Sequence, residues 1–117
     1  MKFDEIKVRA ALPLSWSINS AKQWTEKRPF DGQCNVTAAV VAELFGGEIL
    51  STPWNEHTDH YYNRIDGVRY DLTDEQFAQP IDYADTPSSL EIASKGFSEF
   101  EFSSLKSALL ANLDIAP

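Results

Sequence analysis

A chain of 117 residues, 43% of them hydrophobic and including three Trp, four Tyr and seven Phe, is sized for one domain (1–117) with a core of its own. A formal charge of -8 argues against nucleic acid as a partner, a single Cys excludes an internal disulfide, and no apolar run is long enough for a membrane span. The opening "MKFDEIKVRAALPLSW" carries acids and no apolar stretch of signal-peptide length, so the cytoplasm is the expected compartment.

Residues 3–12 read as a first helix, with Phe3, Ile6, Ala10 and Leu12 at roughly helical spacing and Pro13 as its stop. Residues 15–33 mix Ser, Asn, Pro and Gly and read as loop with a short turn at Ser20–Trp24, which Trp16 and Trp24 pin to the core. Residues 34–45 are the clearest helix: Val36, Ala39, Val40, Leu44 and Phe45 form a stripe and Gly46-Gly47 a stop. "EILST" (48–52) reads as a strand and Pro53–Asp59 as a polar loop. "HYYNRIDGVRYDLT" (60–73) is a hairpin signal, because Asp66-Gly67 suits the positive φ angles of a tight turn between two β-prone runs. "TDEQF" predicts a capped helical turn, 78–96 reads as irregular, Phe97–Phe102 alternates like an extended segment, and Leu105–Leu113 is helical. Helices and antiparallel strands in separate runs predict an α+β domain.

The one thiol, Cys34, stands where the second helix starts. There it faces the positive end of the macrodipole and unpaired backbone N–H groups, which favour a thiolate and can receive an oxyanion. A nucleophilic Cys needs a base and a group to orient that base. With Asp66-Gly67 as the turn, Ile65 pairs with Val68 and Asn63 with Tyr70. His60, Tyr62 and Arg64 then share a face with Arg69, Asp71 and Thr73, and His60 and Asp71 become diagonal neighbours. The opposite face, with Tyr61, Asn63, Ile65, Val68, Tyr70 and Leu72, reads as the core side. Gly32 lets a substrate backbone approach, and Gln33 offers a side-chain amide. Each residue also has a plain structural reading: Cys34 as a buried small residue, His60 as a strand histidine on a carbonyl, Asp71 as a cap, His57 as a solvated loop residue.

The stretches "GQCNVTAAVVAELFGGEIL" and "HYYNRIDGVRYDLTDEQF", with "SWSINSAKQW" upstream, resemble the small bacterial YunG-like family over residues 12–77. More remotely, Cys on a helix followed by His and Asp on adjacent strands resembles the papain-like cysteine hydrolases, including the NlpC-type peptidases. That resemblance implies a compact papain-like core, with the N-terminal and Cys-bearing helices packed on a small antiparallel sheet. Carried over by position, Cys34 matches the nucleophile, His60 the base and Asp71 the orienting acid. Papain-type enzymes place an oxyanion-hole Gln several residues before the Cys. Arg28 falls at that spacing here, so Gln33 or Gln23 from the preceding loop substitutes, or backbone N–H groups serve alone, with Gly32 and Trp16 beside the substrate.

The expected function is a thiol hydrolase or acyltransferase acting on an amide, peptide or isopeptide bond of a peptide or protein substrate, with no cofactor. The alternative is a catalytically silent protein-binding module of the same fold. A third reading, a metal site from Cys34, His57, Asp59 and His60, lacks the second thiol of a standard zinc pattern. The sequence shows neither a P-loop nor a dinucleotide-binding glycine motif.

Overall fold

A computed structural model describes residues 1–115, so the last two residues of the expected domain lie outside the described residues. Among the described residues four α-helices, α1 (Glu5–Ser15), α2 (Cys34–Phe45), α3 (Leu90–Ala93) and α4 (Glu99–Ile115), accompany four strands. The strands are β1 (Glu48–Pro53), β2 (Asp59–Ile65), β3 (Val68–Tyr70) and β4 (Thr86–Pro87). They form one antiparallel sheet in the order β3-β2-β1-β4. The α+β class follows as expected.

Helix α1 starts at an Asp4 cap whose carboxylate accepts from the Lys7 N–H, and it runs through Pro13 instead of stopping there. Pro13 sits in the last turn with its ring exposed, where its missing N–H removes one bond and its fixed φ is already helical. The phase of the stripe also differs from the expectation. Val8, Ala11, Leu12 and Ser15 face inward, whereas Ile6 is 83% exposed. Ser15 anchors this face, because its Oγ accepts from Asn112 Nδ2 of α4 at 2.9 Å.

Helix α2 is the centre of the fold. Val36 through Val41 are all buried, wrapped by α1 and α4 on one side and by the sheet on another. Asn63 Nδ2 in β2 donates to the Ala38 carbonyl at 3.0 Å, riveting helix to sheet. The hairpin has the expected register, Ile65 opposite Val68 and Asn63 opposite Tyr70, with Asp66 and Gly67 at φ 51° and 79°.

Three expectations need correction. The sheet has no solvent face at Tyr62, which is fully buried, while Val68 is half exposed. The reason is that residues 82–87 are not loose. They cross the sheet and pair with it as β4, with Thr52 Oγ1 donating to the Asp82 carbonyl and accepting from the Ala84 N–H. Second, the segment 90–96 holds α3 and a 3-10 turn. Third, Phe97–Phe102 is not extended: α4 begins at Glu99. Ser98 and Glu101 cap one another's N–H groups at 3.1 and 2.8 Å, and this reciprocal box fixes a helix start over the period-two alternation.

Candidate active site

The turn Phe30–Gln33 delivers the chain into α2. The Gln33 N–H donates to the Phe30 carbonyl at 3.2 Å, and Gly32 adopts φ +73°. The side chain of Gln23 lies against Gly32 so closely that a Cβ there would collide with it. Only Gly satisfies both the angle and the approach. The first turn of α2 receives no capping bond from the side chain of Gln33. Its leading N–H groups and the positive helix end therefore face the site at Cys34.

Cys34 is half-buried. Its sulfur donates to Asn35 Oδ1 at 3.3 Å. The orientation of that amide is fixed from the other side, because Asn35 Nδ2 donates to the Ala93 carbonyl at 3.1 Å. Only the NH2 group can donate to a carbonyl, so the oxygen is left facing the sulfur.

His60 rides on β2 and Asp71 follows β3, so the tight turn brings them together across the hairpin. His60 Nε2 stands 2.8 Å from Asp71 Oδ2, and both side chains are buried. Asp71 supplies only acceptors there, so Nε2 carries the proton and Nδ1 is the nitrogen left for the sulfur. Burial works against a charged imidazole. The hydrogen bonds and charges of Asp71 and of the neighbouring Cys34 outweigh it and raise the His60 pKa to about 9. Cys34 and His60 are thus adjacent, although the sulfur's well-aligned bond is the one to Asn35.

The second oxygen of Asp71 is occupied too. Oδ1 accepts from the Thr73 N–H at 3.3 Å and the Thr73 hydroxyl at 3.4 Å. Phe77 presents to the His60 ring edge-on at 4.7 Å between centroids, and Trp54 rests on Phe77 at 4.5 Å. Cys34, His60 and Asp71 are therefore brought together.

The other candidates fall differently. Gln23 is exposed at the turn just before Cys34. Gln33 is turned inward and fully buried, its Oε1 accepting from Ser20 Oγ at 2.9 Å. Trp16 is buried and its Nε1 donates to Thr37 Oγ1 at 2.9 Å, so it pins the loop to α2 and lines no open surface. His57 is exposed, its N–H held by Asn55. Among the described residues no cluster of three or more His, Cys, Asp or Glu is arranged to hold a metal, so the "HTDH" stretch and Cys34 do not converge on one. Among the described residues no helix is long and apolar enough to cross a membrane. Sequence reasoning missed Asn35 and Tyr83. Asn35 follows the Cys directly, yet its partner lies 58 positions away; Tyr83 sits in a stretch without any periodicity.

No solved structure gives a significant match to the chain. A family model described as "YunG protein" matches residues 4–114. A curated relative, described as "Uncharacterized protein YunG" of Bacillus subtilis (strain 168), is 43% identical over 107 residues, which is 92% of each chain. With both similarities running over nearly the full length, the chain belongs to the YunG family.

Proposed function

We propose that this protein is a thiol hydrolase or acyltransferase with papain-like chemistry, acting on an amide, peptide or isopeptide bond of a peptide or protein. The observation that carries the reading is one buried imidazole set between a carboxylate at 2.8 Å and the thiol at a helix start. In this reading Cys34 Sγ attacks the carbonyl carbon and its proton passes to His60 Nδ1, where a pKa of about 9 favours the imidazolium. The oxyanion is received by the leading N–H groups of α2, with the exposed amide of Gln23, which lies against Gly32, as the side-chain candidate beside them. Collapse breaks the bond to the leaving amine or alcohol, and His60 gives that group the proton. Water or an amine then attacks the Cys34 thioester, with His60 taking the proton again, which separates hydrolysis from acyl transfer.

A second reading, a silent binding module of the same fold, draws on the sulfur's alignment with Asn35 in place of His60. A fluorogenic peptide-amide and ester library assayed against wild type and Cys34→Ser tests the choice. Turnover confined to the thiol-bearing protein supports the enzyme. No turnover across the library, with a normally folded protein, supports the module.

A further inference from the structure

We propose that Tyr83 is a positioning residue of the same site, holding the Asp71 carboxylate in place and tempering its pull on His60. The inference rests on the triad reading above and deepens it. Asp71 Oδ2 accepts two short hydrogen bonds, one from His60 Nε2 at 2.8 Å and one from the Tyr83 hydroxyl at 2.7 Å. With Thr73 on Oδ1, the carboxylate is gripped at both oxygens and its rotation about the Cβ–Cγ bond is stopped. Tyr83 itself is fixed on three sides. Its ring meets Tyr62 edge-on at 4.9 Å, the Arg69 guanidinium lies over it at 4.5 Å, and the chain on either side of it is tied to Thr52. Two residues on, Asp85 accepts from Nε and Nη2 of Arg69 at 2.8 and 2.7 Å and from the Tyr62 hydroxyl at 2.8 Å. The strap crossing the sheet thus delivers one phenol to the triad acid and uses the neighbouring acid to brace itself.

The titratable and charged groups facing this phenol are Asp71, Asp74, Arg69 and the ring of Tyr62; those facing the imidazole are Asp71, Cys34 and the stacked ring of Tyr62. Burial and the adjoining carboxylates push the Tyr83 pKa far up, so the phenol stays a donor across the working pH range. A carboxylate that shares its charge with a phenol presents less negative potential to Nε2. His60 then holds its proton less tightly and releases it more readily to a leaving group.

The test reads His60 directly and needs no substrate. The chain has two histidines, His57 exposed and His60 buried, so ring-labelled protein gives two separable NMR titrations. Tyr83→Phe keeps the ring and removes the donor. It is expected to raise the His60 midpoint by about half a unit or more and to leave His57 in place. Tyr62→Phe is the comparison, because it removes a strap hydrogen bond to Asp85 without touching Asp71; it is expected to leave His60 unmoved. An unchanged His60 in Tyr83→Phe overturns the proposal, and so does an equal shift in both variants, which marks general loosening of the strap. If Tyr83→Phe does not fold, the unmutated protein carries the test. The Tyr83 hydroxyl proton is expected as a slowly exchanging downfield resonance, and its absence overturns the proposal. Failure of the hydrolase reading appears separately, as a Cys34 that forms no acyl adduct while His60 still responds to Tyr83→Phe.

Discussion

His60 and Asp71 sit eleven positions apart, yet the two-residue turn at Asp66-Gly67 sets their side chains 2.8 Å apart in a site where they are 2% and 3% exposed. A buried ion pair of this kind couples folding to pH. Because the folded His60 pKa lies above its ordinary value of about 6.5, its stabilisation is fully present below that value. It is lost as pH rises through about 9. Urea unfolding at pH 6, 7.5 and 9.5 is expected to show wild type losing on the order of 3 kcal/mol across this window relative to His60→Gln. Parallel curves for the two proteins would contradict the coupling.

Removing the acid leaves the imidazole buried without its partner. Asp71→Ala is expected to cost about 3 kcal/mol in denaturant unfolding at pH 7, in the range for breaking one side of a buried pair. The same change lowers the His60 titration midpoint, read by NMR, because the raising contribution of Asp71 is gone.

Asn35 competes with His60 for the Cys34 thiol. Its amide is fixed by the Ala93 carbonyl and accepts from Cys34, so Asn35→Ala frees the sulfur to turn toward His60. Alkylation of Cys34 by iodoacetamide at pH 7 is expected to speed up severalfold. Loss of the bond to Ala93 costs about 1 kcal/mol of stability. Slower alkylation in this variant would mean that Asn35 orients the thiol productively.

How much of this was legible in the sequence depended on whether the signal was local. The turn dipeptide Asp66-Gly67 fixed the hairpin register, and the register alone placed His60 beside Asp71. Cys34 at a helix start followed from the stripe and its Gly-Gly stop. The capping box Ser98–Glu101 was also written in the sequence, but the alternating phenylalanines around it read as a strand. Pro13 misled because a proline in the last helical turn costs one bond, not the helix. Tyr83 and the burial of Tyr62 depended on a strap without periodicity, held by side chains from β1, β2 and β3. Contacts of that kind leave no mark on local spacing.

The turn before Cys34 tests the oxyanion assignment. Gln23→Ala touches an exposed side chain and is expected to leave stability within about 0.5 kcal/mol. Hydrolysis of a p-nitrophenyl ester is expected to fall on the order of a hundredfold, as for loss of one oxyanion donor. Gly32→Ala does more, because it strains a φ of +73° and displaces Gln23 as well. Unchanged ester kinetics in Gln23→Ala would return the oxyanion to the backbone N–H groups alone.

The central claim is that Cys34 accepts an acyl group with the help of His60, and intact-mass spectrometry after a brief pulse of p-nitrophenyl acetate tests it most directly. Wild type is expected to carry one acetyl group on Cys34 with a matching burst of nitrophenolate. His60→Ala is expected to form it at least about tenfold more slowly, the low end of what a positioned base contributes. A wild-type protein that stays unmodified, or that acylates no faster than His60→Ala, would contradict the account.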